Sequence, residues 1–420
     1  MNTQPTAGMI EQVKDIPIYR QSIAQGYFPI LEKPGIAQDF PANWMTPRLA
    51  HALATGEAEF VLSTGTHHAR MQIIRPPYFL LNSYYRLWSD HPDIAFTWDQ
   101  QCQRVSLTTV LATEHVIRVN SRKHDGTRGQ KPDSQAMRRL DARTSYLNQK
   151  LDPVHWDRAD IERMLDEIDA ARRSHPHGFY HLDCSSYHLA HFVLKVAAYG
   201  LKERFPQPAS IIHAYEYTPA NVRQFLQAHF SCPLIDLFGS TELGYLYYSD
   251  RHGRYLPYLD DMQLELVPFE TSRSIFSLIV SSVRNPYMPL IRYRSGDCVQ
   301  TAGNALDPTK IVRFCGREKE ILRTRNGMLS HADFDDLIRA ASPNVFVYQL
   351  RTQASACAHL HYTTFDGAPL DQQETANLEA RLRQATGLDC RATHRACIDI
   401  GKSGKYAWLA ATTDVTLRTT

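Results

Sequence analysis

The strongest constraint on the fold is an alternation of patterns between residues 178 and 238. Residues 178–183 read as a strand, and 187–205 as a helix with Leu189, Val193, Val196 and Gly200 at three- and four-residue spacing. Residues 210–215 read as a second strand, Thr218-Pro219 as a cap-plus-proline helix start, and 233–238 as a third strand. Upstream, Asp152-Pro153 opens a helical pattern that runs to Arg173, with Asp as the cap and Pro at the first helical position. Residues 59–63 read as a short strand running into a turn. Parallel strands need a crossover long enough to hold a helix. The βαβαβ rhythm therefore predicts a mainly parallel sheet covered by helices.

The rhythm changes twice further along. After Gly244, strand-like stretches at 245–249, 262–267 and 274–283 suggest a β-rich layer or a small barrel. From Gly316 onward the pattern is a helix at 331–341, strands at 345–351 and 357–362, a helix at 371–385 and a strand at 391–398. That αββαβ order makes a compact unit. The expected class is α/β: a large N-terminal domain (1–318) of helix-covered sheets plus a β-rich layer, and a small α+β C-terminal domain (319–420).

Composition narrows what such a chain does. Its 420 residues carry a formal net charge of +2, which gives no general electrostatic case for a nucleic-acid or membrane partner. No apolar run approaches the roughly 18 residues of a membrane span, and residues 1–14 lack the basic-then-apolar pattern of a secretory signal. The eight cysteines are scattered without a CxxC pair, as expected of reduced thiols in a cytoplasmic protein. His175, His177, His181, His188 and His191 are dense, and Asp183 and Cys184 lie close by, but no zinc spacing is present, so packed histidines are expected. A basic stretch from Arg118 to Arg143 reads as a solvated loop, with a phosphate-binding or carrier-docking surface as the sharper alternative.

Five segments carry residues suited to chemistry. Ser63-Thr64-Gly65-Thr66 ends a strand in small hydroxyl residues whose N–H and O–H groups can face one anion. Phe238-Gly239-Ser240-Thr241-Glu242-Leu243-Gly244 follows a strand at the sheet edge where α/β folds bind ligands. There Gly239 permits close approach, Thr241 offers a hydroxyl to a phosphate, Glu242 a hard oxygen to Mg²⁺, and Phe238 a ring to a planar base. Ile291-Arg292-Tyr293-Arg294-Ser295-Gly296-Asp297 ends in a carboxylate able to accept two hydrogen bonds from a ribose diol. Gly316-Arg317-Glu318-Lys319-Glu320 lies at the inferred boundary, and Gly401-Lys402-Ser403-Gly404-Lys405 puts a lysine on a Gly/Ser turn. Tyr245, Tyr247 and Tyr248 either pack a strand or flank an aromatic substrate.

Taken in order, these segments resemble the adenylate-forming superfamily of acyl-CoA synthetases and adenylation enzymes, most closely its phenylacetate-CoA ligase branch. The resemblance runs from about residue 16 to Lys405. It implies ATP- and Mg²⁺-dependent activation of a carboxylic acid, aromatic or arylacetic by analogy, as an acyl-adenylate. Transfer to the thiol of CoA or of a carrier protein would follow. It implies that Ser63, Thr64, Gly65 and Thr66 touch the ATP phosphates, and that Ala214, Tyr215, Glu216 and Phe238, with Gly239, frame the adenine and acyl group. Thr241 would meet the α-phosphate, Glu242 the Mg²⁺, and Asp297 the ribose, with Arg317 nearby. Lys319 would be the hinge, Lys405 the catalytic lysine, and Gly327 part of the thiol tunnel. The phosphate loop departs from the family pattern, since His67-His68-Ala69-Arg70 stands where a glycine and a lysine are usual. That departure keeps two alternatives: a homologue that binds an adenylate or acyl group without efficient turnover, and an adenylating enzyme that transfers to an amine.

Overall fold

In the computed structural model, residues 4–62, 71–107, 139–352, 357–398, 400 and 405–411 are described. The chain divides into two compact units, one of residues 1–90 and 237–319, the other of 91–236 and 320–420. It is a mixed α/β protein, and among the described residues no helix is long and apolar enough to cross a membrane.

The second unit contains the expected parallel sheet. Thr144–Tyr146, Gln103–Leu107, Tyr180–Cys184, Ser210–His213 and the start of Leu234–Ser240 lie side by side in that order, all parallel. Helix Ser186–Ala198 covers this sheet and buries Leu189, Phe192, Val193 and Val196. Each fully buried side chain of that kind contributes roughly 1.5–3 kcal/mol relative to exposure. The helix stops before Phe205 because Gly200 turns left-handed (φ +71°) and the Leu201 N–H closes onto the Val196 carbonyl at 2.8 Å.

Two helix starts differ from the sequence reading. Asp152 caps only a single turn, Pro153–His155. The long helix is Arg158–Arg173, because Asp157 and Asp160 form a reciprocal capping box two residues later. Thr218 does not cap Ala220–His229; the Ala220 N–H donates to Asp335 Oδ2 at 2.7 Å instead. Asp335 also accepts from Tyr348 at 2.9 Å and Tyr217 at 3.2 Å, so one buried carboxylate from helix His331–Ala341 ends a helix elsewhere in the unit.

The C-terminal part of this unit follows the αββαβ order. Asp389–His394, Cys357–Thr364, Val345–Thr352 and Leu409–Ala411 form one sheet, with Gln372–Thr386 beside it. Phe346, Val347 and Ile398 belong to the same apolar core as helix Ser186–Ala198, and Asn221 donates to the Ser342 and Val345 carbonyls.

In the first unit the β-rich layer is an open antiparallel sheet rather than a barrel. Met262–Pro268, Phe276–Ser282, Leu290–Thr301 and Ile311–Arg317 pair in sequence order, and no pairing joins the first to the last among the described residues. The segment 245–249 belongs elsewhere: Gly244–Ser249 pairs with the end of Leu234–Ser240 on one side and with Tyr255–Pro257 on the other.

Candidate functional site

A turn at residues 241–243 joins Leu234–Ser240 to Gly244–Ser249 and buries Glu242. Gly239 is required by the turn itself. A Cβ there would lie 2.7 Å from the Tyr245 Cα and closer still to the Gly244 carbonyl oxygen. Backbone cannot retreat as a flexible side chain can, so Gly239→Ala is expected to cost about 1–3 kcal/mol by thermal or urea unfolding. A melting temperature equal to wild type would contradict that geometry.

The Glu242 carboxylate accepts a 3.0 Å hydrogen bond from the Tyr293 hydroxyl. Tyr293 is fully buried, and burial, reinforced by Glu242, holds its phenol well above the usual range. Four residues along the same strand, Asp297 is buried and meets the Arg317 guanidinium at 3.1 Å. The two residues are register partners on adjacent strands. Burial pushes the Asp297 carboxyl up, Arg317 draws it down, and Glu242 pushes it up again. Glu242, Tyr293 and Asp297 thus form a buried cluster of the first unit, with the half-exposed Arg317 closing it from outside and Thr241 half-buried on the turn.

Neither Tyr293 nor Arg292 was singled out by the sequence reading. Arg292 is fully buried with a left-handed backbone (φ +47°), held by a two-point ion pair to Glu265 at 2.9 and 3.1 Å and by the Phe28 carbonyl at 2.7 Å. Left-handed backbone at a non-glycine residue costs of order 1–3 kcal/mol and persists only where the surroundings over-determine it. A buried arginine of this kind has no signature in a linear motif.

Phe238 is stacked face-on against Phe314, with ring centroids 3.9 Å apart, so one of its faces is already covered. The three tyrosines pack. Tyr247 is fully buried with its hydroxyl on the Pro308 carbonyl, Tyr245 meets Tyr84 edge-on, and Tyr248 meets Tyr258 edge-on.

The second unit gathers another group. Ala214 follows a parallel strand and is buried, its N–H on the Cys184 carbonyl at 2.9 Å. Tyr215 has a left-handed backbone (φ +80°), and its hydroxyl donates to Asp183 at 2.9 Å. Asp183 is fully buried and also takes Ser106 at 2.7 Å and the Arg104 guanidinium. Glu216 has both carboxylate oxygens shut off from solvent, and burial pushes its carboxyl up, with Ser185 and the charge of Lys405 drawing it partly back. Lys319, exposed, is the last residue of the first unit.

Ser63, Thr64, Gly65 and Thr66, with His67 to Arg70, lie outside the described residues, as do residues 401–404 and the basic stretch up to Arg138. Of the dense histidines, His177 is exposed, and His175, His181, His188 and His191 are packed side chains. His188 bridges Ser185 and the Leu151 carbonyl, His191 sits between the Tyr187 and Phe346 rings, and His181 bonds Ser210. Among the described residues no three His, Cys, Asp or Glu side chains converge as a metal site.

No protein-family model matches the sequence, and no curated protein does. Solved structures do match. A 2-hydroxyisobutyryl-CoA ligase in its postadenylation state, in complex with R3-HIB-AMP, aligns with TM-score 0.65 and 11% identity, over 97% of this chain and 88% of that one. The chain has the fold of the adenylate-forming acyl-CoA ligases. The anthranilate CoA ligase AuaEII, in complex with anthranoyl-AMP, shares this adenylate-forming fold with TM-score 0.53 and 13% identity, over 82% of this chain and 65% of that one. ATP-bound MatB from Rhodopseudomonas palustris aligns with TM-score 0.52 and 14% identity, over the same shares of the two chains.

Proposed function

We propose that the protein activates a carboxylic acid with ATP and passes the acyl group to a thiol, with CoA as first choice and a carrier protein as second. The single observation that supports this most is the buried cluster of Glu242, Tyr293 and Asp297, with Arg317 paired to Asp297, within an adenylate-forming fold. The motif order favours the phenylacetate-CoA ligase-like branch, and with it an aromatic or arylacetic acid. The packed tyrosines lend that substrate no separate support.

The donor set suits a magnesium ion that arrives on ATP. Such an ion is typically held by one or two carboxylates plus substrate phosphates, and Glu242 offers one buried carboxylate oriented by Tyr293. When bound, Mg²⁺ neutralises charge that builds on the phosphate oxygens. The chain's own residues do the rest. Asp297 holds the ribose hydroxyls, and Arg317 keeps that carboxylate charged and aimed. Thr241 donates to the α-phosphate, and Ser63, Thr64, Gly65 and Thr66 cradle the outer phosphates. Ala214, Tyr215, Glu216, Phe238 and Gly239 frame the base and acyl group.

The reaction balances in two steps. A carboxylate oxygen attacks the α-phosphorus and pyrophosphate leaves, giving the acyl-adenylate. A thiolate then attacks the acyl carbon and AMP leaves. Lys405 stabilises the negative charge of the first step, and in this reading residues 319–420 turn about Lys319 before the second. The test is a pyrophosphate-release screen across carboxylic acids, with and without CoA. Acid-dependent release is the expected result, and silence across the panel with ATP and Mg²⁺ present would overturn the reading. AMP binding by calorimetry alongside that silence would instead favour a protein that binds without turnover, the alternative that His67 and His68 keep open.

A further inference from the structure

Parallel strands buried on both faces are usually apolar throughout. One face of the parallel sheet in the second unit is not. Arg104 and Ser106 on Gln103–Leu107 stand in register with His181 and Asp183 on Tyr180–Cys184, and Ser210 on the next strand stands in register with His181. Side chains two apart on a strand point the same way, so these residues share one face, and all of them are buried.

The row divides into two groups. Toward the start of the strands its demand is met internally, since the Ser210 hydroxyl lies 2.7 Å from His181 Nδ1 and 3.0 Å from the Thr97 hydroxyl. Toward their C-terminal edge the Arg104 guanidinium and the Ser106 hydroxyl, the latter at 2.7 Å, both donate to Asp183 Oδ2. A third donor reaches the same oxygen from beyond the strands, the Tyr215 hydroxyl at 2.9 Å. A buried ion pair is a poor source of net stability, because apolar residues of similar volume do as well or better. What this pair supplies is a fixed acceptor, and hydrogen bonds to ionised partners are roughly twice as strong as neutral ones.

Tyr215 is a residue that needs holding. Its backbone is left-handed (φ +80°), which is costly away from glycine and persists only where the surroundings impose it. The residue before it is fastened to the same strand: the Ala214 N–H donates at 2.9 Å to the carbonyl of Cys184, the neighbour of Asp183. The backbone of one residue and the side chain of the next are thus tied to consecutive positions of one strand. They lie at the edge of a parallel sheet where α/β folds bind ligands. Tyr215 is only half-buried, so it is not sealed into the core.

We propose that Asp183, oriented by Arg104 and Ser106, is the positioning residue of Tyr215: its carboxylate holds the phenol ring in the orientation that meets the nucleotide. This rests on the role given above to Ala214, Tyr215 and Glu216 in framing the base, and adds to it the group that fixes the frame. The Tyr215 proton is committed to Asp183, so the ligand meets the ring and not a hydroxyl donor.

Tyr215→Phe deletes the tie and keeps the ring, and it leaves Asp183 with both Arg104 and Ser106. In the full-length variant, hydrogen exchange at residues 214–217 should quicken about tenfold or more, the typical worth of a hydrogen bond to a charged acceptor, with helix Ser186–Ala198 unchanged. AMP binding by calorimetry should weaken about fivefold or more, because a segment already held in its bound conformation binds more tightly than a loose one. A purely structural bond would leave the AMP affinity of the folded protein as it is. Arg104→Met combined with Asp183→Leu removes both charges together, a change that buried pairs often tolerate. It should weaken AMP as Tyr215→Phe does, and adding Tyr215→Phe to it should alter the affinity by less than about twofold, since both routes cut one tie. Unchanged exchange at 214–217 in Tyr215→Phe overturns the tie. Faster exchange with unchanged AMP affinity overturns the positioning role. If exchange quickens but the wild-type protein binds no AMP, the tie stands and the nucleotide role falls together with the proposed activity, so the two failures are distinguishable.

Discussion

Lys405→Ala is expected to lower acid-dependent exchange of pyrophosphate into ATP by about 10²–10³-fold, with the fold intact. Loss of one preorganised donor to charge that develops only in the transition state has that typical size, because a sequestered site leaves no water to replace it. The fall should appear in kcat rather than in the KM for ATP, as a group engaged mainly in the transition state contributes little to ground-state binding. Lys405→Arg should recover little, because a planar guanidinium does not present its charge as a compact ammonium does. Thioester formation from a pre-made acyl-adenylate and CoA should survive in the same variant, since that step needs no charge stabilisation at the α-phosphate. Exchange at the wild-type rate in Lys405→Ala would remove this lysine from the mechanism.

The second large effect is a loss of stability in acid, confined to the unit of residues 91–236 and 320–420. Burial holds His188 down to about 4, and His191 and His331 to about 3. His181 is pushed in the same direction. In the unfolded chain a histidine takes its proton near pH 6.5. Between that value and the folded one the unfolded state therefore binds more protons, and stability falls as the pH drops. At pH 5 each such histidine costs about 2 kcal/mol, so three or more consume much of the 5–15 kcal/mol typical of a domain. Urea unfolding at pH 7.5, 6 and 5 should show this decline beginning near pH 6.5. His191→Phe, placed between the Tyr187 and Phe346 rings, should remove one proton from the slope. A midpoint flat from pH 7.5 to 5 would show that these imidazoles protonate without unfolding.

The parts of the fold that follow from local rules are visible in the sequence. Periodic apolar positions mark helix Ser186–Ala198, and the capping box of Ser330 and Asp333 fixes helix His331–Ala341 at the predicted bounds. What depends on distant partners is not visible. Asp335 caps a helix more than a hundred residues away, and nothing in the Thr218-Pro219 start reveals it. The open sheet of the first unit reads as a possible barrel because strand patterns do not encode closure. The site behaves likewise. Glu242, Asp297 and Arg317 are legible as motif members, because turns and strand ends carry recognisable residue types. Tyr293 sits within the same motif, but its bond to Glu242 spans 51 positions and has no linear signal.

The central claim, that the acid's own oxygen attacks the α-phosphorus, is tested most directly with isotope. The protein is incubated with ATP, Mg²⁺, CoA and a carboxylic acid labelled with ¹⁸O in both carboxylate oxygens, and the AMP is analysed by mass spectrometry. One ¹⁸O per AMP is the predicted result, because the bridging oxygen leaves with the nucleotide when the thiol displaces it. Consumption of ATP with unlabelled AMP, or with ADP and labelled phosphate as products, would contradict it.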